Sequence, residues 1–395
     1  MARKISTGID IGTFQVKVVV SEEIKQENGS YSPKIIATGY AESKGLRHGY
    51  IINSDDVTRC LRIAIEQAEK TAKTKIKRAY ISIGGIGLGS VIGKGSVMIS
   101  KADSEITEID VKSVLAIAES DLPQATMMNK KIIHQVPISY KIDGQPLIGR
   151  PAGMHGARLE VKALFVYCLE QHLNDLIKAV ADAGVEVMDV MASPLAASIV
   201  VLSKSQKIAG CILANIGSET VSMSVFENNV PISLEVLPIG STDITNDIAL
   251  GLKIPIEEAE YLKIGTMKNE SQYPRKKLEE IITARLSDIF DLIEAHLKKI
   301  GRSGLLPAGV VLTGGGSGIE TIEDVARATL KLPSRIASIN LISNIKNSEL
   351  KDSTWSVAYG LSLWGLSSGD DMPGLEIPTK GFIEKIKNIF RPFLP

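Results

Sequence analysis

Apolar and polar positions first follow the period of a strand. Ile9, Ile11, Val16, Val18, Val19 and Val20 flank a turn carrying Gly8, Gly12 and Thr13, so residues 5–20 read as strand, glycine turn, strand. The period then lengthens. Over residues 54–73, Val57, Leu61, Ile65 and Ala68 form one stripe behind a capping Ser54 or Asp55, which predicts an amphipathic helix. A short buried strand at 79–83 runs into Gly84-Gly85-Ile86-Gly87. Residues 84–162 have another texture, with strands near 90–100 and 132–142 and a helix near 110–119. They read as a compact α+β unit inserted into a larger α/β domain, which resumes with a strand at 163–168, a helix at 171–183 and the segment 193–202.

At Gly210 the opening pattern returns. Residues 211–226 are again strand, glycine turn, strand, and Leu213-Ala214-Asn215-Ile216-Gly217-Ser218 lies over Gly8-Ile9-Asp10-Ile11-Gly12-Thr13. This weak internal repeat predicts two similar halves facing one another across a cleft, each offering a glycine hairpin to one ligand. A helical stretch follows over 243–301, and its last helix aligns Leu278, Ile281, Ile282, Ile289, Phe290, Ile293 and Leu297. Val310-Val311-Leu312 is a strand ending in Thr313-Gly314-Gly315-Gly316-Ser317. Residues 367–379 show no periodicity and read as a linker to one last helix.

Composition narrows the function classes. Of the 395 residues, 44% are hydrophobic and 23% charged, which suits two or three folded domains. Lys plus Arg equals Asp plus Glu at 45 each, so no global field draws the chain to nucleic acid, and affinity for a charged surface must be local. Cys60, Cys168 and Cys211 are far apart and have neither metal-ligand nor redox spacing, which predicts buried thiols in a reducing compartment. With no signal-peptide pattern at the start and no apolar run long enough to span a bilayer, the expectation is a cytoplasmic protein.

Three glycine turns after strands suit a bound triphosphate. Backbone amides at such turns approach phosphate oxygens closely, Thr13 adds a hydroxyl, and Asp10 holds a Mg²⁺ through water. In this order the turns resemble the two phosphate motifs and the adenosine motif of the actin, sugar-kinase and heat-shock-chaperone superfamily. Within it the chain is similar to the FtsA family. Ile132-Ile133-His134-Gln135-Val136-Pro137, Asp143-Gly144-Gln145 and residues 151–160 (PAGMHGARLE) resemble the signature of that family's inserted subdomain. Pro238-Ile239-Gly240, Ile244-Thr245 and Ala259-Glu260-Tyr261-Leu262-Lys263 resemble its second-half nucleotide region, and Ser356-Val357-Ala358-Tyr359-Gly360-Leu361 its closing motif.

The resemblance implies an α/β, actin-like (ribonuclease-H-like) fold of two halves with an inserted α+β subdomain and a C-terminal amphipathic helix. It implies ATP with Mg²⁺ as the cofactor. Asp10, Gly12, Thr13, Phe14 and Gln15 would face the β- and γ-phosphates, with Asp10 on the metal. Asn215, Gly217 and Ser218, with Gly240, would face the opposite side; Gly314, Gly315, Gly316 and Ser317 the adenosine; Glu260 and Lys263 the ribose. It also implies that the helical part of the second half receives the acidic tail of FtsZ, with Arg285, Lys298, Lys299 and Arg302 as candidates. The chain departs from the family pattern at Asn215, where an acidic residue is usual, at Glu219 for glycine, at Ser222 for aspartate and at Gln15 for lysine. Asn215 cannot act as a charged base and Glu219 adds negative charge near the phosphates, so ATP binding is expected with weak or absent hydrolysis. His134 lies in a strand-like run far from the turns and reads as structural.

Residues 380–395 place Phe382, Ile383, Ile386, Ile389, Phe390, Phe393 and Leu394 on one helical face. Lys380, Lys385, Lys387 and Arg391 against a single Glu384 give that face a basic rim, which suits the interface of an anionic bilayer. A helix of roughly 12 residues, about 18 Å long, lies in the interface and does not span it. One copy binds weakly, and polymerisation supplies the missing affinity.

The resulting division is 1–83 first half, 84–162 inserted subdomain, 163–202 first half completed, 203–240 second half, 241–305 its helical subdomain, 306–366 the adenosine part, 367–379 linker and 380–395 membrane helix. The implied partners are FtsZ, other copies of the chain in a filament, and the inner face of the membrane at the division site. The alternative is a PilM-like pilus-assembly protein that binds a peptide from a membrane partner. A sugar kinase would need a catalytic carboxylate facing a sugar pocket, for which the sequence offers no placed candidate, and a chaperone would need a larger substrate domain.

Overall fold

Two sheets carry the chain in the computed structural model, which describes residues 4–26, 31–265, 273–339 and 352–367. The β-branched residues around Gly12 form β1 (Ile5–Ile11) and β2 (Gln15–Lys25), and β3 (Tyr31–Glu42) completes an antiparallel meander. After the small ribbon of β4 (Leu46–Arg47) and β5 (Tyr50–Ile51), helix α1 (Ser54–Ala72) crosses to β6 (Arg78–Ile83), which lies parallel to β1. The cap of α1 is Asn53, one residue before the expected Ser54, because its side-chain oxygen reaches the amides of Asp55 and Asp56 at 3.1 and 3.2 Å.

The inserted unit consists of β7 (Gly89–Met98), α2 (Glu108–Ser120), α3 (Gln124–Met127), β8 (Lys130–Ile142), β9 (Gln145–Leu147) and β10 (Arg158–Leu169). Thr107 and Asp110 close a capping box at the start of α2, whose apolar face covers Leu159, Val161 and Phe165 of β10. The boundary at 162/163 falls inside β10, which continues unbroken toward the first half. The path then runs through α4 (Glu170–Asp182), β11 (Glu186–Ala192), α5 (Ser193–Val201) and α6 (Lys204–Ala209).

The second half repeats the first, with β12 (Cys211–Ile216), β13 (Val221–Glu227), β14 (Val230–Leu237), α7 (Ser241–Leu252), α8 (Ile256–Lys263), α9 (Arg275–Lys299), β15 (Val310–Thr313), α10 (Ile322–Leu330) and β16 (Ser334–Ile336). The strand orders β11-β6-β1-β2-β3 and β16-β15-β12-β13-β14 match position for position. Both have two parallel pairs followed by two antiparallel ones. The faint sequence repeat is thus a duplicated topology.

Two connections differ from the sequence division. The inserted strands extend the second sheet rather than the first, through one bridge between Glu235 of β14 and Gly89 of β7. The last described helix, α11 (Ser356–Leu366), was grouped with the second half but packs on β1, β2 and α5 of the first. It is buried on nearly every side, and glycines permit the approach: a Cβ on Gly8 would lie 2.2 Å from the Ala358 carbonyl, and one on Gly360 1.9 Å from that of Ala196.

The three cysteines are buried free thiols. Among the described residues no helix is long and apolar enough to cross a membrane. The predicted linker beyond Ser367 and the helix with Phe382, Ile383, Lys385, Ile386, Lys387, Ile389, Phe390, Arg391, Phe393 and Leu394 lie outside the described residues.

Candidate functional site

The two glycine hairpins close in the same way. The Gly12 amide donates to the Gln15 carbonyl at 3.2 Å, and the Gly217 amide to the Thr220 carbonyl at 2.9 Å. A Cβ at either glycine would press on that same carbonyl, at 3.0 and 2.9 Å, so a side chain there would open the turn. Between the hairpins lies a cavity of about 510 Å³. Asp10, Gly12, Thr13, Phe14 and Gln15 line it from the first half, and Asn215, Gly217, Ser218, Glu260, Lys263, Gly314 and Gly315 from the second. Gly240, Gly316 and Ser317 stand behind the wall. Gly240 lets the Ser218 carbonyl approach, Gly316 packs on Ile216, and the Ser317 hydroxyl donates to the Gly314 carbonyl at 2.7 Å.

The floor holds groups that sequence reading missed. The Ser82 hydroxyl, at the end of β6, donates to Asp10 Oδ1 at 2.8 Å and accepts the Ile11 amide at 3.2 Å. Lys17 faces the cavity from β2, its Nζ donating to the Thr354 carbonyl at 3.0 Å and lying 5.3 Å from the centre of the Trp355 ring. Its signal was a lone cation among the valines of β2, on the same strand face as Gln15. Burial raises the Asp10 pKa, against the opposing pull of the Ser82 bond and the Lys17 charge. Burial likewise lowers the Lys17 pKa, and Asp10 and Asp352 oppose that shift. The floor therefore sets a carboxyl group, Asp10, beside an amino group, Lys17, in a partly desolvated pocket, an arrangement that favours a ligand carrying both anionic oxygens and a cation.

On the opposite wall, α7 clamps the second hairpin. The Ser241 and Thr242 amides donate to the Gly217 and Ser218 carbonyls, both at 2.8 Å, and the hydroxyls of Ser218 and Thr242 lie 2.8 Å apart. Lys263 reaches Glu260 Oε2 at 2.6 Å, Thr245 Oγ1 at 2.9 Å and the Ser241 carbonyl at 3.2 Å. Its side chain is only 5% exposed while that of Glu260 is 42% exposed, so the pair is a bolted corner of the cleft and not a surface helix pair.

Glu219 joins the two halves beside the cavity. Its carboxylate is not part of the cavity wall; it accepts the His48 amide from the first half, whose Nδ1 lies 3.3 Å from the Glu219 carbonyl. His134 is structural, since its Nε2 accepts the Ala192 amide at 3.1 Å and burial holds its pKa at about 3. The four basic candidates for partner binding all have partners within the chain. Arg285 is bidentate to Asp247 at 2.6 and 3.1 Å, Arg302 pairs with Glu227, Lys298 with Glu294 at 3.7 Å and Lys299 with Glu235 at 3.9 Å.

Two family models match, "Cell division protein FtsA" over residues 212–360 and "SHS2 domain inserted in FTSA" over 87–167. Cell division protein FtsA of Bacillus subtilis is 30% identical over 86% of this chain and 80% of its own length. The chain belongs to the FtsA family. The FtsA of Pseudomonas aeruginosa is 29% identical over 96% of this chain and 93% of its own. Among solved structures, the PilM–PilN type IV pilus biogenesis complex has a TM-score of 0.68 at 16% identity, covering 91% of this chain and 98% of that one. MreB5 of Spiroplasma citri bound to ADP has a TM-score of 0.51 at 13% identity, covering 98% and 99%. At these identities the structures share the fold alone, and that actin-like fold is the one this FtsA-family chain adopts.

Proposed function

We propose that the chain binds ATP with Mg²⁺ between its halves, polymerises with it, and holds FtsZ filaments to the inner face of the cell membrane through residues 380–395. The observation that carries the nucleotide reading is the pair of like-built glycine hairpins facing one cavity with Asp10, Ser82 and Lys17 at its floor. These residues fit Mg²⁺ with a triphosphate. Hard oxygen donors (the Asp10 carboxylate, the hydroxyls of Thr13 and Ser218) stand beside a cation, and Gly12 and Gly217 leave the walls low. No cluster of three or more His, Cys, Asp or Glu residues among those described holds a metal by itself, so Asp10 would share it with water and phosphate oxygens. Bound Mg²⁺ would neutralise phosphate charge. Asn215 in place of a carboxylate leaves the second hairpin without a charged base, which favours binding over turnover.

The membrane and FtsZ parts of the proposal rest on family membership and on the apolar, basic-rimmed pattern of residues 380–395. The PilM alternative is not favoured, since the FtsA relatives match at 29–30% identity over most of the chain and the PilM complex at 16%. Co-sedimentation with phosphatidylglycerol-containing liposomes and Mg-ATP tests the reading, comparing the full chain with one ending at Thr379. The full chain alone should pellet with lipid and should then carry FtsZ with it. Equal behaviour of the two chains would remove the tether from the proposal.

A further inference from the structure

The short helix α6 carries the chain from the first half into the second, between α5 and β12. It holds an amine that the cleft does not use. Lys207 is half-buried, with its Nζ 5.3 Å from the centre of the Phe226 ring on β13, and its side chain makes no hydrogen bond or ion pair among the described residues. Glu227, the carboxylate next to Phe226, is taken by Arg302. Arg335 reaches this connection from β16, donating to the Val201 carbonyl at the end of α5 at 3.2 Å and to Gln206 Oε1 of α6 at 3.3 Å. Burial raises the thiol of Cys211, the first residue of β12, to about 11, and the charges of Lys207 and Arg335 both oppose that rise. Two cations thus gather around one thiol, and neither pairs with a carboxylate among the described residues. None of these residues lines the cavity between the hairpins.

An ammonium set against an aromatic face without a counter-ion is held less firmly than one in a salt bridge. Burial lowers the Lys207 pKa to about 8, with the Cys211 thiol opposing the shift. At neutral pH it carries on the order of a hundredfold more free amine than an ordinary lysine, and a free lysine amine is a nucleophile. We propose that Lys207 is a carbamylation site for carbon dioxide, with Arg335 as the cation that holds the product. The Nζ lone pair forms an N–C bond to the carbon of CO2, one C=O π pair moves onto oxygen as the carboxylate, and one Nζ proton leaves to solvent. The step needs no oxidant and has no other leaving group. It turns an unpaired cation into an anion in the field of Arg335, and guanidinium–carboxylate pairs are the strong kind. An acyl group would instead leave a neutral amide that gains nothing from Arg335. The carbamate ties α6 to β16 and so makes the connection between the halves respond to dissolved CO2.

The test equilibrates the full chain with isotopically labelled bicarbonate at fixed dissolved CO2, traps carbamates as ethyl esters with triethyloxonium, and locates them by peptide mass spectrometry. Lys207 should carry at least about tenfold more label than Lys204, the exposed lysine on the same helix. Its label should rise with pH between about 6.5 and 8, because the step consumes the free amine and releases a proton. This comparison is made within the parent chain, so it stands whether or not a variant folds. Arg335→Gln should lower the label on Lys207 severalfold and Arg335→Lys should restore part of it, each with an unchanged circular dichroism spectrum. Bicarbonate, against chloride of equal ionic strength, should raise the melting temperature of the parent and not that of Lys207→Arg, which keeps the charge and forms no carbamate. The inference is overturned if Lys207 is labelled no more than Lys204, if Arg335→Gln folds and keeps the full label, or if Lys207→Arg shows the parent's response to bicarbonate.

Discussion

Asp10 is costly to bury and useful for the same reason. Its pKa is raised above the unfolded value, so its favourable contribution is present at low pH and is lost as pH rises through the folded pKa. Above that folded pKa the carboxylate is held at a cost that a bound cation relieves. Asp10→Asn should therefore unfold at a temperature equal to or above that of the parent without nucleotide, and should lose the rise in melting temperature produced by Mg-ATP. A variant that keeps the full Mg-ATP response would show that Asp10 is not the metal-side carboxylate, and one that melts lower without nucleotide would show that burying Asp10 carries no net cost. Lys17 acts beside it as a charged donor in a buried setting, where such bonds contribute about 1.5–3 kcal/mol. Lys17→Met is expected to weaken ATP by roughly ten- to a hundredfold. Its circular dichroism should be unchanged, and equal loss of affinity for adenosine would sink the phosphate assignment.

At the scale of elements, the close seating of α11 depends on glycines at its contacts. Gly360→Val puts branched carbons where a Cβ alone lies 1.9 Å from the Ala196 carbonyl, so α11 must shift off α5. The expected loss is about 1–3 kcal/mol, read as a lower urea midpoint with unchanged slope. A midpoint equal to the parent's would mean that α11 does not hold the first sheet. This element also marks the limit of what the sequence discloses. The glycine hairpins at Gly12 and Gly217 were legible because their chemistry is local: β-branched runs around a glycine whose missing Cβ leaves room for the closing carbonyl. The placement of α11 and the Glu235–Gly89 bridge were not legible, because an all-round apolar helix and a strand edge do not name their distant partners. Lys17 and Ser82 escaped for a related reason. Their role comes from lying next to Asp10 across strands far apart in sequence, while their local pattern is only a polar residue in a strand.

Over the whole molecule, stability and cleft closure draw on buried groups that join separate parts. His134 and His172 are buried neutral, with pKa values pushed down to about 3 and about 4 by desolvation. The unfolded chain binds these protons near pH 6.5, so stability falls as pH drops below that value, by up to about 1.4 kcal/mol per pH unit for each histidine. His134→Gln should flatten the dependence of melting temperature on pH between about 6 and 4 relative to the parent. The halves themselves are tied at the mouth of the cleft by Glu219, whose carboxylate takes the His48 amide. His48 sits in the left-handed region at φ 47, with Gly49 at φ 82 packed on Gly85, so the loop that presents this amide is held in one shape. A charge-assisted bond between the halves resists their separation, and separation is the step that would release a ligand enclosed between them. Glu219→Gly removes that bond while leaving the cavity wall intact. It should speed release of a fluorescent ATP analogue roughly tenfold in a stopped-flow chase, with a smaller change in the association rate. Parent-like release from the glycine variant would place the barrier to opening elsewhere. Faster release from Glu219→Gly but not from Glu219→Gln would assign the effect to the geometry of the bridge and not to its charge.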